Sequence, residues 1–449
     1  MKIGHISRTG SRKLILIFAG WGMDTHPFAG LKAGGYDIAV AFDYRQPDEE
    51  ETPEALREYE EICLIAWSFG VIAAANFIES HPRLPITARI AVNGTLCPVD
   101  DRRGIPEKIF RGTLESLSDT TLRKFNRRMC GSSEAFAAYS RQHPQRTIDD
   151  LREELAAIAL RSHRSDLARL WDTVFVSDAD MIIPTSAQMA AWDGHPDLRI
   201  VAGAHLPDFR SILSSAIVNK SLVAARFSES AVSYDCEASV QSHIARRVAE
   251  MAKNRATEND AVLEIGAGTG LLTRELARST DADNLTLWDI ATIPADLPGH
   301  HEKCDAETRI NTAADESVGL ITSASALQWF NSPATFIARC RRVLAAGGTF
   351  AASTFGEKNF HELTPYLPAT LHYYSAAQWK EILRSQGWGD IEVEEEEITL
   401  RFDGPAELLR HISRTGVNAL GRSTKAAREI IRAGVSTLTY HPVYIRMKK

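Results

Sequence analysis

Ile62-Cys63-Leu64-Ile65-Ala66-Trp67-Ser68-Phe69-Gly70-Val71 decides the reading of the first half of this 449-residue chain. Residues 62–67 form an apolar run of strand length, and residues 71–77 are Ala-rich with helical spacing. Ser68 sits in the sharp turn between them. Such a turn lifts a hydroxyl above the end of a sheet, with a helix N-terminus beneath it, which is what a nucleophile elbow needs. Ser68 is therefore the candidate nucleophile. Elbow glycines let the backbones approach closely; here Ala66 stands in place of the first glycine of G-x-S-x-G, and Gly70 keeps the second. A serine in this position also serves as a plain helix N-cap, so its partners must decide.

Working outward, apolar runs at 14–19, 38–42, 89–93 and 173–177 alternate with helical segments, the pattern of buried parallel strands joined by crossover helices. After the run at 173–177, Asp180 precedes an apolar turn ending in Pro184, and His205 follows a last strand at 198–201. Nucleophile, acid and histidine thus come in the chain order of an α/β-hydrolase. In that reading His205 is the general base and Asp180 orients it. Asp178 and Asp119 are alternative acids. Phe18-Ala19-Gly20-Trp21-Gly22-Met23-Asp24 follows the first run, so backbone amides of Trp21 and Phe69 are the expected oxyanion donors. Between about 112 and 170 the strand signal gives way to helical spacing among many charges, predicting a helical insertion over the sheet.

A second alternating series begins at 261–265 and continues at 285–289, 318–322, 349–354 and 391–400. Val262-Leu263-Glu264-Ile265-Gly266-Ala267-Gly268-Thr269-Gly270 ends a strand in a glycine turn that lets the backbone pass close to a nucleotide-like ligand. Three acids favour S-adenosylmethionine over a dinucleotide. Glu264 precedes the first glycine, as in methyltransferase motifs where an acid contacts the aminoacyl part. Asp289 ends the next strand, where ribose hydroxyls would sit, and Asp305 stands where an adenine-binding acid usually falls. An acid so near a pyrophosphate would be unfavourable. The expected fold is a Rossmann-like class I methyltransferase.

Length supports two domains, since single cores stop growing at roughly 250–300 residues. They are expected at 1–215 and 225–449, joined by a stiff, apolar-periodic stretch at 212–230 without Pro or Gly. The acidic run 394–397 is expected on a solvated strand. A net charge of -7 argues against bulk nucleic-acid binding. The six cysteines are scattered without a CxxC pair, so no metal site is expected. The apolar run at 14–19 is too short for a signal segment or a membrane span, and a cytoplasmic location is expected.

The first half resembles the BioG-type pimeloyl-acyl-carrier-protein methyl ester esterases over roughly residues 10–215. The resemblance is carried by Phe-Ala-Gly-Trp-Gly-Met at 18–23, Ala-Trp-Ser-Phe-Gly-Val at 66–71 and Lys-Phe-Asn-Arg-Arg-Met-Cys at 124–130. The second half is similar to the BioC family of malonyl-acyl-carrier-protein O-methyltransferases over about residues 225–449. Its motifs are Ser233-Tyr234-Asp235 with Val240-Gln241, Ser-Ala-Ser-Ala-Leu-Gln-Trp at 323–329, Ser-Thr-Phe-Gly at 353–356 and Leu-Arg-His-Ile-Ser-Arg-Thr-Gly-Val-Asn-Ala-Leu at 409–420.

Together these resemblances imply a bifunctional enzyme of biotin synthesis. It would methylate the carboxyl of malonyl-acyl carrier protein with S-adenosylmethionine and hydrolyse the methyl ester of pimeloyl-acyl carrier protein. Tyr234 would close over the cofactor, and Arg410, His411 or Arg414 would bind the substrate carboxylate. Carrier proteins are acidic, so Arg123, Lys124, Arg127 and Arg128, and Lys425, Arg428 and Arg432, are candidate docking residues. Two other readings remain: a methyltransferase fused to an inactive hydrolase-fold docking scaffold, and a carboxylesterase fused to a small-molecule methyltransferase.

Overall fold

Strands with no polar face must be covered on both sides, and the apolar runs of the first half form the middle of such a sheet. A computed structural model describes residues 1–46, 53–161, 164–253, 261–367, 371–415 and 424–449. The chain divides into two compact units, Met1–Leu213 and Ser214–Lys449. The first holds β1 (Lys2–Ser7), β2 (Lys13–Phe18), β3 (Asp37–Phe42), β4 (Glu61–Trp67), β5 (Ile86–Val92), β6 (Thr173–Ser177) and β7 (Leu198–Val201), ordered β1-β3-β2-β4-β5-β6-β7. All neighbours are parallel except β1, which runs antiparallel to β3 at the edge. The central strands β2 and β4 are almost wholly buried.

Helix Gly70–Ser80 makes the crossover from β4 to β5. The connection from β5 to β6 is far longer and carries helices Glu107–Glu115, Asp119–Cys130, Ser133–Arg141 and Ile148–Ala159. Local chemistry sets their ends. Ser118 and Thr147 each accept the backbone N–H three residues on, and Gly131, left-handed at φ 72°, closes helix Asp119–Cys130. Because the strands are parallel, the loops after β2, β4, β6 and β7 leave from the same end of the sheet, bringing Trp21, Ser68, Asp180 and His205 to one edge.

The second unit holds β8 (Val262–Ile265), β9 (Leu285–Asp289), β10 (His300–Lys303), β11 (Val318–Ser323), β12 (Leu344–Phe355), β13 (Gly389–Glu395), β14 (Ile398–Arg401), β15 (Thr437–Tyr440) and β16 (Pro442–Lys448). Its sheet order is β10-β9-β8-β11-β12-β16-β13, with β16 antiparallel to both neighbours, and β14 pairs separately with β15. This is the Rossmann-like fold of S-adenosylmethionine-dependent methyltransferases. The strand order reverses at β8, which opens a crevice beyond its carboxyl end.

Residues 391–400, expected as one strand, are two strands in different sheets. The break falls at Glu396 and Glu397, where Glu396 accepts a hydrogen bond from Tyr444 and Glu397 pairs with Lys358. The stretch 212–230, expected as a stiff connection, is divided between helices Phe209–Ala216 and Lys220–Glu237, the second capped by Asn219, whose side chain accepts from Leu222 N.

Candidate active sites

Ser68 occupies the turn between β4 and helix Gly70–Ser80 with φ 58°, a left-handed conformation unusual for a side-chain-bearing residue. The turn tolerates this because its surroundings are glycines: a Cβ on Gly70 would stand 2.3 Å from the carbonyl of Phe18, and one on Gly94 would stand 2.3 Å from that of Ser68. His205 Nε2 lies 2.9 Å from Ser68 Oγ, and its Nδ1 lies 2.7 Å from Asp180 Oδ2. All three are buried. Asp180 also accepts from the backbone N–H of Ile182 and Ile183 and from Gln188 Nε2, so every lone pair facing the protein has a donor. The other two acids stand elsewhere. Asp178 accepts from Gly203 N at 3.0 Å, and Asp119 is exposed at the start of helix Asp119–Cys130.

Two residues not singled out in the sequence shape this line. Asn93 Nδ2 donates to the carbonyls of Ala204 and His205, and Trp67 Nε1 donates to the carbonyl of His205. Between them they fix the loop that carries the imidazole. Trp67 stands inside the elbow motif, but its role, like that of Asn93, runs through a backbone atom distant in sequence.

Trp21 and Phe69 border a cavity of about 50 Å³ above Ser68. Helices of the insertion roof it with Phe110, Phe125, Met129 and Leu155, and Arg128 stands at its wall with an exposed head. Among the described residues that line it, the pocket is apolar apart from the reacting residues, Thr113 and Arg128. It suits an acyl chain with a charged or polar attachment at its mouth.

In the second unit, the turn after β8 holds Gly266, Gly268 and Gly270 at φ 73°, 54° and 91°. Gly266 is also forced by packing, since a Cβ would stand 2.4 Å from Ala326 Cβ, whereas Gly270 is required chiefly by its positive φ. Gly268 is different: a side chain there would meet no protein atom and would fill space beside the cavity. That cavity, about 180 Å³, is lined by Glu264, Asp289, Asp305, Tyr234, Phe227 and Trp329 among others. Asp289 accepts the amides of Gly268 and Ala291 at 2.8 and 2.6 Å, which aligns its carboxylate with the turn. Burial pushes Glu264 up to about 8, and its Oε2 has no hydrogen-bond partner among the described residues. A buried acid with one unpartnered oxygen beside a glycine turn, next to Asp289, fits a ligand carrying an ammonium group and ribose hydroxyls, as S-adenosylmethionine does.

Asp305 caps the helix Ala306–Arg309 and pairs with Lys220 Nζ at 2.6 Å, while Glu307 pairs with the same ammonium at 2.5 Å. Lys220 starts the helix Lys220–Glu237, which carries Phe227 and Tyr234 to the cavity, and Phe227 packs edge-on against Trp329 at 5.8 Å. Burial pushes the phenol of Tyr234 up, keeping it neutral.

A family model described as Pimeloyl-ACP methyl esterase BioG matches residues 1–213, and one described as Methyltransferase domain matches residues 263–352. A malonyl-[acyl-carrier protein] O-methyltransferase from Bacteroides fragilis is 35% identical over 468 residues, covering 98% of this chain and 93% of that protein. The chain belongs to that family. A second malonyl-[acyl-carrier protein] O-methyltransferase, from Bacteroides thetaiotaomicron, is 34% identical over 262 residues, covering 52% of this chain and 99% of its own length. The crystal structure of BioG from Haemophilus influenzae shares 32% identity with a TM-score of 0.42, over 47% of this chain and 96% of that one.

In this member of the malonyl-[acyl-carrier protein] O-methyltransferase family, Arg410, His411 and Arg414 share the helix Pro405–Arg414, but none of them lines the cofactor cavity. Arg410 is exposed, and Arg414 pairs with Glu237 at 2.6 Å. His411 is buried, 2.9 Å from the hydroxyl of Tyr440, and burial lowers its pKa. A neutral, packed imidazole is poorly suited to bind a carboxylate by charge. Residues 416–420 of the same motif lie outside the described residues. The basic residues Arg123, Lys124, Arg127 and Arg128 are all exposed on helix Asp119–Cys130, and Lys425, Arg428 and Arg432 are exposed on helix Thr424–Ala433. Among the described residues no group of three or more His, Cys, Asp or Glu could hold a metal ion, and no helix is long and apolar enough to cross a membrane.

Proposed function

We propose that this chain carries two opposed activities of biotin synthesis: S-adenosylmethionine-dependent methylation of malonyl-acyl carrier protein, and hydrolysis of the methyl ester of pimeloyl-acyl carrier protein. The methylation rests on family membership together with the cavity at the glycine turn. The hydrolysis rests chiefly on one observation, the aligned Ser68, His205 and Asp180 beneath an apolar, cap-roofed pocket. The strand order of the first unit and the left-handed Ser68 turn support an α/β-hydrolase fold.

Ser68 donates its proton to His205 Nε2 as its oxygen attacks the ester carbonyl, and Asp180 holds the imidazolium that forms. The amides of Trp21 and Phe69 meet the developing oxyanion. His205 then protonates the departing methoxide, and water releases the acid from the acyl-enzyme. For methylation, the malonyl carboxylate, with a pKa of about 4, is ionised at neutral pH, so no general base is needed. S-adenosylmethionine supplies an electrophilic methyl group. The chain aligns donor and acceptor, with Glu264 and Asp289 placed for the donor's amino acid and ribose parts, and Arg410 or Arg414 offered as carboxylate ligands.

The apolar pocket explains why the two activities need not cancel. A pimeloyl chain reaches between Phe110, Phe125 and Leu155, whereas a malonyl chain is too short to occupy them. The test is hydrolysis of pimeloyl-carrier methyl ester by the unaltered chain and by Ser68→Ala. Loss of hydrolysis with methylation intact is expected. Equal hydrolysis by both would remove Ser68 from the mechanism, and no hydrolysis by either would favour a docking scaffold.

A further inference from the structure

The loop that offers Trp21's amide to the oxyanion is held by the cap and not by the sheet alone. Glu154, in helix Ile148–Ala159, is fully buried. Its Oε2 accepts the amide of Gly22 at 3.1 Å, and its Oε1 accepts that of Tyr44 at 2.9 Å. Arg146, itself nearly buried, donates to Oε2 at 2.6 Å and lies 3.2 Å from Asp43. The same helix accepts from the indole of Trp21, whose Nε1 stands 2.8 Å from the carbonyl of Leu151. The contact is close: a Cβ on Gly22 would stand 3.2 Å from Leu151 Cδ2.

Replacing a buried ion pair by apolar residues of similar volume is often neutral or even stabilising. Stability alone therefore does not explain an acid at position 154. What the carboxylate does that an apolar side chain cannot is accept two backbone amides from two loops. One of them is the neighbour of the proposed oxyanion donor. With Gly22 N–H engaged by Glu154 and the Trp21 indole engaged by Leu151, residue 21 is held through the peptide that follows it and through its side chain, which limits how the preceding Gly20–Trp21 peptide, the one that carries the Trp21 amide, can turn.

We infer that Glu154 is the positioning residue of the oxyanion site, through which the cap sets the direction of the Trp21 amide. This inference rests on the esterase reading above. It also joins two features of the pocket, since Leu155, the next residue in the same helix, lines the acyl cavity. The helix that contacts the acyl chain is thus the helix that aims the oxyanion donor. Its contribution therefore belongs to kcat, because the oxyanion exists only after attack.

The test uses the full chain and pimeloyl-carrier methyl ester. Glu154→Gln keeps the volume but turns an amide N–H toward Gly22, Tyr44 or Arg146, so the loop must shift. We expect kcat to fall about 10- to 100-fold, the range for a displacement of around an ångström, with KM within about threefold. Ile158→Ala is the control: it lies buried in the same helix and is not among the residues that line the acyl cavity, and should lose thermal stability while keeping kcat. Trp21→Phe removes the indole tether, together with part of the ring that borders the pocket and packs on Phe125, and should lower kcat about 3- to 10-fold; it carries the test if Glu154→Gln does not fold. Unchanged kcat in Glu154→Gln, or in Trp21→Phe where that variant stands in, would overturn the inference alone, as would an equal loss in Ile158→Ala. Absence of Ser68-dependent hydrolysis in the unaltered chain would overturn the esterase reading with it.

Discussion

At the scale of single residues, a few groups have environments that force a role. Ser68 is held in a left-handed turn with its hydroxyl 2.9 Å from an imidazole. Ser68→Ala should lower the hydrolytic kcat on the order of 10⁶-fold, as removal of a triad nucleophile does, measured by methanol release. Glu264 gives a prediction of a different kind. Burial raises it from the ordinary carboxylate range to about 8, so between those values the folded state binds a proton that the unfolded state has lost. Stability of the ligand-free chain therefore declines as pH rises through that window and levels off above it. Glu264→Gln removes this decline, visible as a flatter profile of denaturation midpoint against pH between about 5 and 8. The same substitution weakens S-adenosylmethionine binding, because the donor's ammonium loses an anionic partner. Most of these residues were legible because they sit in short motifs at strand ends. The choice of Asp180 over Asp178 and Asp119 was not legible, since it depends on which side of the loop after β6 faces His205. Asn93 and Lys220 were invisible because each acts on a group far away in sequence, and Gln188, eight residues from Asp180, because its reach back to that carboxylate depends on the fold.

At the scale of elements, the apolar runs announced the parallel strands closely, to within a residue or so at β2, β3, β6 and β7. β1 was missed because an edge strand half open to solvent has no continuous apolar run. β14 and β13 were merged because the acidic corner between them interrupts no hydrophobic pattern. The insertion was recognised as helical, but its contribution of a pocket roof required the fold. Helix Asp119–Cys130 presents Arg123 and Lys124 to solvent while Phe125 faces the pocket, which couples a charged surface to the acyl site. The double charge reversal Arg123→Glu with Lys124→Glu should raise KM for carrier-bound ester several-fold at low salt, with less effect as salt is added. Hydrolysis of a small soluble ester by that variant should be unchanged. An equal loss on both substrates would place the damage in the pocket and not in docking.

At the scale of the whole molecule, two units with separate sheets and separate hydrophobic cores imply two cooperative transitions. S-adenosylhomocysteine, at a concentration of about 100 Kd, should stabilise one of them by about 2.7 kcal/mol and leave the other in place, read by calorimetry. The broad division into an elbow-bearing half and a glycine-turn half could be read from sequence because each half restarts the same alternation of strand and helix. On the proposed function, chemistry of opposite direction on one chain demands that hydrolysis spare the product of methylation. The central claim is tested most directly by mass spectrometry of carrier protein incubated with the full chain. Malonyl-carrier with S-adenosylmethionine should gain one methyl group and keep it, and pimeloyl-carrier methyl ester should lose one. If malonyl-carrier stays unmodified and the pimeloyl ester stays intact, or if the malonyl ester is cleaved as readily as the pimeloyl ester, the account is contradicted.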